Sequence, residues 1–309
     1  MKGKTVLITG GTGSLGHALV ERLFTLEPKK IIVFSRDELK QAQMADKYPN
    51  PEYPIRYIMG CVRDKDKLLM AFRDVDIVIH AAALKRLEAG QYNPMEFKKT
   101  NVDGAENIIT AAIERGVDKV LAVSTDKACQ PICTYGASKL LGDCLFIDGN
   151  SYSGTNGTRF SVIRFGNFVG SRGSVIPYFK HLIDDGVSRL PIRNYDATRF
   201  WIEVDKVVDT ILDALHRMNG GEVFVPKMKA MRVVDFVKSH FPDARFRETE
   251  LGYGEKLHER MVASDDARYT YETDEFYITI APHLPVPIGA RRVPLDFEYR
   301  SDRGLPWRA

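Results

Sequence analysis

Lys4-Thr5-Val6-Leu7-Ile8-Thr9-Gly10-Gly11-Thr12-Gly13-Ser14-Leu15-Gly16 runs from an apolar segment straight into a glycine-rich turn. Residues 4 to 9 have the length and apolarity of a buried strand, and His17 to Phe24 continues as a helix. A strand, a glycine turn and a helix together make a phosphate cradle. Gly10, Gly13 and Gly16 permit the tight turn, close backbone approach to a pyrophosphate, and close helix packing. Thr12, Ser14 and Leu15 lie in the same turn and count with the glycines as cofactor-binding positions. The fold class that follows is α/β, a Rossmann-like doubly wound parallel sheet.

The rhythm repeats. Lys30 to Phe34 is a second strand, and Ser35-Arg36-Asp37-Glu38-Leu39-Lys40 follows it. A hydroxyl and a guanidinium come first, where an acid would hold a ribose diol, so Ser35, Arg36 and Lys40 suit the 2′-phosphate of NADP, and Asp37 beside them counts as a further cofactor-binding position. Arg56 to Gly60 is a third strand, with Cys61 and Val62 at the adenine side. Val75 to His80 is a fourth, running into Ala81, Ala82 and Ala83, whose small side chains let a flat ligand lie on the backbone. Lys85 stands just beyond, at the mouth of the site. A helix starts at Asn93-Pro94 and continues from Asn101 to about Gly116, placing Asn101 to brace the catalytic loop.

Lys119 to Val123 is an apolar strand that ends in Ser124-Thr125-Asp126-Lys127-Ala128, followed by Thr134-Tyr135-Gly136-Ala137-Ser138-Lys139 and a helix to Asp148. Ligands of open α/β sheets bind at such strand ends. Tyr135 and Lys139, four apart, share a helix face, which lets the ammonium lower the phenol's pKa from its usual ~10. Phe160 to Phe165 is a sixth strand. The polar loop from Gly166 through Asn167, Ser171, Arg172, Gly173 and Ser174 then leads to a helix from Val175 to Asp185 and reads as a second ligand's binding loop. Thr198, Arg199 and the segment Gly254 to Glu259 bring further charges. The tail after Pro282 is rich in Pro, Gly and Arg and is expected to wrap the surface or stay partly loose.

At 309 residues, 44% hydrophobic, the chain can bury a sizeable core. Its 44 basic and 41 acidic residues leave a formal charge of +3, too balanced for a nucleic-acid footprint. Cys129 and Cys133 are spaced Cys-x3-Cys without a second ligand pair, so no metal site is expected. No apolar run approaches a membrane span and no signal segment precedes the first strand, which points to the cytoplasm and away from a membrane partner.

The glycine turn and the Tyr135-x3-Lys139 pair resemble the extended short-chain dehydrogenase/reductase superfamily. Within it, Ser35 to Gln41, Ser124 to Ala128, Gly166-Asn167, Gly170 to Val175, Thr198 to Trp201 and Gly254 to Glu259 look like the inverting UDP-N-acetylglucosamine 4,6-dehydratases, which begin pseudaminic acid synthesis in bacteria. The Thr125-Asp126-Lys127 triplet is the most specific part, since retaining sugar-nucleotide dehydratases carry Asp-Glu there. The resemblance implies a lyase with bound NADP acting on a UDP-sugar. Tyr135 with Lys139 would take the 4-hydroxyl proton, Thr125 would bind O4, Lys127 as a neutral amine would take the C5 proton, and protonated Asp126 would release the C6 hydroxyl. It further implies Lys85 near the nicotinamide ribose or sugar, Asn167 and Arg199 at the diphosphate, Val175, Ile176 and Pro177 at the uracil, and Glu255 at the uridine ribose, with Thr198 beside them. Cys61, Arg86 and Gly252 depart from the family, which usually has Asp, His and a diphosphate-binding Arg there; Arg193 or Arg260 are the cations available to compensate for Gly252. A related dehydratase or epimerase on another nucleotide sugar stays open, as does a non-catalytic dinucleotide sensor. Residues 1 to 165 are expected to be mainly the NADP domain and 166 to 309 mainly a smaller C-terminal nucleotide-sugar lobe, with some segments returning to the core. A homo-oligomer is expected by analogy with the superfamily.

Overall fold

The computed structural model describes residues 1–155, 157–170 and 174–306. Ser171, Arg172 and Gly173 of the expected ligand loop lie outside the described residues.

The first half alternates strand and helix: β1 (Thr5–Thr9), α1 (Ser14–Phe24), β2 (Lys30–Ser35), α2 (Glu38–Lys47), β3 (Ile55–Met59), α3 (Lys65–Ala71) and β4 (Ile77–His80). After α4 (Leu87–Tyr92), α5 (Pro94–Phe97) and α6 (Gly104–Arg115) come β5 (Lys119–Thr125), α7 (Thr134–Asp148) and β6 (Arg159–Phe165). The order β3-β2-β1-β4-β5-β6 is parallel throughout, the doubly wound arrangement whose order reverses between β1 and β4. Helices cover both faces, so β1 is buried along its whole length. Its alternation sorts the core into two layers: Val6 and Ile8 pack with Leu19 of α1, whereas Leu7 packs with Leu68 of α3 and Ile108 of α6.

Two departures from the sequence expectations bear on the site. The helix carrying Tyr135 begins at Thr134, capped by Cys133 Sγ, which accepts the Gly136 N–H at 3.4 Å. Both Tyr135 and Lys139 therefore lie on α7. Lys98–Asp103, between α5 and α6, is a π-helical segment, a distortion that often accompanies function, and it carries Asn101.

The second half contains β7 (Asn167–Val169), α8 (Val175–Asp184), β8 (Leu190–Arg193), β9 (Thr198–Glu203), α9 (Val204–Arg217), β10 (Glu222–Pro226), β11 (Lys229–Arg232), α10 (Val233–His240), β12 (Phe246–Thr249), β13 (Arg260–Val262), β14 (Thr270–Glu272) and β15 (Phe276–Ile280), then the short β16 (Arg291–Arg292), β17 (Tyr299–Arg300) and β18 (Leu305–Pro306). β10 extends the main sheet in parallel beside β6, and β15, β14 and β16 continue it antiparallel. β7, β9, β11 and β18 form a second sheet. The paired β8 and β12 pack with α8 and α10 around Phe179, Leu190 and Val237. The tail does more than wrap the surface: β17 pairs with β13, and Ser301 beyond it is buried. Among the described residues no helix is long and apolar enough to cross a membrane.

Candidate active site

The carboxyl ends of the central strands open onto a cleft of about 940 Å³, lined at one end by the glycine turn and at the other by Phe168, Val175 and Trp201. Gly10 turns the chain at φ +68°, and a Cβ there would meet the Ala82 backbone at 3.0 Å. A Cβ on Gly16 would collide with the Gly11 carbonyl. At Gly13, the N-cap of α1, an added Cβ would approach only the Gly10 carbonyl, at 3.3 Å, and no side chain caps the helix start. The N-terminal end of α1 is thus open to an anion. Gly10, Thr12, Gly13, Ser14, Leu15 and Gly16 all line the cleft, and this bare cradle fits a dinucleotide pyrophosphate.

Farther along, Ser35, Arg36, Asp37 and Lys40 also line it. Asp37 caps α2, accepting the Lys40 N–H at 3.0 Å and pairing with Lys40 Nζ at 2.6 Å. The Lys40 hydrogen bonds hold its carboxyl below the usual range. Arg36 is exposed and, among the described residues, makes no ion pair or side-chain hydrogen bond. Val62 reaches the cleft; Cys61 does not line it, and its carbonyl instead accepts the Asp64 N–H at 3.0 Å in the turn into α3. Ala81, Ala82 and Lys85 form the wall beyond β4. Burial around the Lys85 amine, with Arg86 beside it, lowers its pKa. Below them Thr9 Oγ1 bonds His80 Nδ1 at 2.7 Å and accepts the Ala82 N–H at 3.2 Å. Burial pushes His80 down to about 3, so it is a neutral strand-end brace. Asn101 stands one layer behind the cleft. It exchanges hydrogen bonds with both backbone groups of Leu84 at 2.9 Å and donates to Ser138 Oγ at 3.0 Å, tying the Lys85 loop to α7.

The polar run after β5 gathers at the centre of this wall. Thr125, Asp126, Lys127, Tyr135 and Lys139 all line the cleft. Thr125 Oγ1 donates to Asp126 Oδ1 at 2.9 Å and accepts the Lys127 N–H at 3.3 Å, which holds the turn shut. The Tyr135 ring stands edge-on to buried Phe97, with centroids 6.2 Å apart. Two electrostatic expectations are corrected. Tyr135 is pushed up to about 12 by burial, with the Thr125 hydrogen bond and Lys127 opposing. Lys139 donates to Val123 O at 2.9 Å and, with burial outweighing Asp143, is itself lowered. The neutral amine expected of Lys127 is not the form its surroundings favour. Burial does pull its pKa down, but the Asp126 and Glu259 carboxylates, at 3.2 and 2.7 Å, raise it above the ordinary lysine value.

The expected substrate positions divide. Asn167 and Val175 line the cleft, whereas Ile176, Pro177, Thr198, Arg199 and Glu255 do not. Arg199 was expected at a diphosphate. Its guanidinium instead bonds the Thr198 and Leu257 carbonyls at 2.8 and 3.2 Å and lies 3.6 Å from Glu259. Thr198 Oγ1 is taken up by His258 Nδ1 and Ser301 Oγ at 2.9 and 2.7 Å. Glu255 accepts the Gly252 N–H at 2.8 Å and pairs with Arg193 at 3.0 Å. Sequence reading missed Glu259, Phe168 and Trp201 as parts of the site. Trp201 is held flat against Phe236 at 3.7 Å. The available signal for Glu259 was an acid immediately before the strand-like Arg260-Met261-Val262.

The model of a family described as polysaccharide biosynthesis protein matches residues 6–281. A Campylobacter jejuni protein named UDP-N-acetylglucosamine 4,6-dehydratase (inverting) is 49% identical, the match covering 98% of this chain and 94% of that one. The solved structure of Pen from Bacillus thuringiensis superposes with a TM-score of 0.92 at 32% identity, over 98% of this chain and 94% of that chain. A Streptomyces venezuelae dTDP-glucose 4,6-dehydratase, solved with NAD and TYD bound, shares the fold at a TM-score of 0.73 and 24% identity, over 82% of this chain and 86% of that chain.

Proposed function

The chain belongs to the polysaccharide biosynthesis protein family, and from that premise we propose that it is an inverting UDP-N-acetylglucosamine 4,6-dehydratase, a hydro-lyase that keeps a nicotinamide dinucleotide bound. The observation that carries the reading is the meeting, in one cleft, of the pair Tyr135 and Lys139 with the pair Asp126 and Lys127. The first pair suits oxidation of an alcohol, and the second suits removal of a proton and a hydroxyl from neighbouring carbons. The near full-length likeness to the Campylobacter jejuni enzyme supports the same substrate and stereochemistry.

A dinucleotide held along the Gly10 to Gly16 turn and the Ala81, Ala82 and Lys85 wall would supply the hydride acceptor for C4 of the sugar and the hydride donor for C6. The rest is done by side chains. Thr125 hydrogen-bonds O4, and Tyr135, which burial by itself keeps a phenol, takes the 4-hydroxyl proton as the phenolate, the form that the Lys139 ammonium beside it on α7 and the positive ring of a bound oxidised dinucleotide would favour. The resulting 4-ketone makes the C5 proton acidic. Lys127 takes that proton, and Asp126 supplies one to the C6 hydroxyl as it leaves as water. Asp126 Oδ2, buried and without a hydrogen-bond partner among the described residues, is the place for that proton. A proton from solvent, added at C5 from the face opposite Lys127, inverts the centre, and the proton held by Tyr135 passes to solvent before the next turnover.

Of the two dinucleotides, NADP(H) fits better, because Asp37 is committed to capping α2 and to Lys40, while Arg36 is exposed and makes no ion pair or side-chain hydrogen bond among the described residues. Lys85 lies toward the nicotinamide ribose or the sugar, and residues 1–165 serve mainly the dinucleotide while 166–309 serve mainly the nucleotide sugar. Incubation with UDP-N-acetylglucosamine tests the reading. Loss of one water with inverted C5 in the NMR spectrum is expected. Unchanged mass excludes dehydration, and retained C5 configuration excludes inversion.

A further inference from the structure

Behind Lys127 lies a carboxylate that the steps above leave without a task. Glu259 is 0% exposed. Its Oε1 sits 2.7 Å from Lys127 Nζ and 3.6 Å from Arg199 Nε, while Oε2 has no hydrogen-bond partner among the described residues. The tail fixes its backbone on both sides: Ser301 Oγ accepts the Glu259 N–H, and the Ser301 N–H donates to the Glu259 carbonyl, each at 2.9 Å. A buried acid kept only for structure is usually satisfied at both oxygens, since an unmet one is costly.

The charged and titratable groups facing Lys127 Nζ are Asp126 from its own turn, Glu259 from the segment before β13, Arg199 from β9 and Tyr135 from α7. The Glu259 carboxylate pairs with Lys127 Nζ at 2.7 Å, and a carboxylate in direct contact favours the ammonium form. An ammonium has no lone pair to offer C5. The neutral amine must therefore be made inside the cluster or by losing a proton to solvent.

We propose that Glu259 is the proton holder that turns Lys127 into a base. This rests on the dehydratase reading and deepens it. The Nζ–H bond facing Oε1 breaks and an O–H bond forms on Glu259, converting an ion pair into a neutral amine beside a neutral acid. In a buried site the change relieves the desolvation of two charges. The amine's lone pair then takes the C5 proton. The electron pair left at C5 forms the C5–C6 double bond as the C6–O bond breaks, and the oxygen leaves as water with the Asp126 proton. Lys127 ends as ammonium, Glu259 as neutral acid and Asp126 as carboxylate, so the cluster's net charge is unchanged and solvent supplies no proton. Glu259 is thus a positioning residue that acts through Lys127.

The test is deuterium exchange at C5 of UDP-N-acetylglucosamine in heavy water, by full-length protein carrying its dinucleotide, beside C4 oxidation read from reduced-nicotinamide absorbance. In the parent protein the exchange rate is expected to vary less than about threefold between about pH 6.5 and about pH 9, because the proton moves within the cluster. A rise of about tenfold per pH unit, the mark of a lysine that must first lose its proton to solvent, overturns the proposal. Glu259→Gln keeps the shape but cannot take the proton, and is expected to slow exchange about 100-fold with C4 oxidation within about threefold of the parent. Glu259→Asp should recover at least about tenfold of that loss. Parent-like exchange in the Gln variant, or loss of both readouts in the Gln and Asp variants alike, also overturns it. The pH series needs no variant and decides the matter if neither variant folds. A parent protein that never oxidises C4 sinks the dehydratase reading itself, and this proposal with it, an outcome shared with none of the others.

Discussion

Lys127 and Lys139 line the same cleft as Tyr135, both largely buried, and their surroundings push them in opposite directions. Around Lys139, the helix α7 and strand β5 offer a backbone carbonyl and a more distant Asp143, which is itself engaged by Arg164 at 3.0 Å. Burial wins there, and the amine is lowered. Around Lys127, the segment before β13 brings a carboxylate into direct contact, and the amine is raised. Burial sets the direction only where no acid is packed against the amine. One corner of the cleft is built from neighbours in sequence, the other from strands that meet only in the folded chain.

Replacing each lysine should separate the corners most strongly. Lys127→Ala is expected to lower C5 exchange about 10³-fold while C4 oxidation continues, so that reduced-nicotinamide absorbance rises on adding substrate and persists. Tyr135→Phe removes the acceptor of the first proton, and Lys139→Ala removes the support beside it. Neither should show that rise. If Lys127→Ala exchanges C5 at close to the parent rate, or if all three variants behave alike with substrate bound, the division of work is wrong and Lys127 is a structural lysine at a strand end.

The same contrast explains what was legible in the sequence. Gly10, Gly13 and Gly16 announce a phosphate cradle because its geometry is local to one turn, and the structure lines the cleft with all three. Tyr135 and Lys139 were readable as a pair from helical spacing alone, although the assumed drop in the phenol's pKa was not, because it depends on what buries the ring. Arg199 looked like a free cation suited to phosphate. Nothing in its neighbourhood in sequence reveals that Glu259 and two carbonyls already hold it. Glu259 meets Lys127 only because β13 pairs with β17 and the tail residue Ser301 fixes the segment between them. A tail expected to be peripheral thus supports the centre of the site, and periodicity carries no signal for such a contact.

The cofactor end offers a smaller effect. Arg36 is exposed just after β2 and unpaired among the described residues, whereas Asp37 and Lys40 pair with each other. Arg36→Ala is expected to weaken NADP(H) binding about 10- to 100-fold, the loss of one charge-assisted contact of ~1.5 to 3 kcal/mol. Binding of NAD(H) should change by less than about threefold, since it lacks the phosphate. Titration of both dinucleotides into the parent and variant measures the difference. Equal losses for the two, or NAD as the sole dinucleotide released on denaturation, would show that this end of the cleft does not read the 2′-phosphate.

The smallest effect is expected at the rim, where the resemblance implied a missing arginine at Gly252. The space has been taken by another residue. A Cβ at 252 would overlap Arg193 Nη1. That guanidinium pairs with Glu255 at 3.0 Å and reaches Glu88 of α4 at 3.5 Å, while the Gly252 N–H donates to the same Glu255 oxygen at 2.8 Å. Arg193 thus ties the second half of the chain to α4, through side chains exposed enough that each pair contributes little to stability. Gly252→Ala must push the guanidinium aside, and Arg193→Ala removes it. Each is expected to cost less than about 1 kcal/mol in denaturant unfolding. Because the rim can affect binding without touching the reacting atoms, KM for UDP-N-acetylglucosamine should rise about threefold to tenfold with kcat unchanged. The decisive measurement is the double variant: if Gly252 matters only as room for Arg193, combining the changes adds nothing to the larger single effect, whereas additive losses would mean that the two positions act independently.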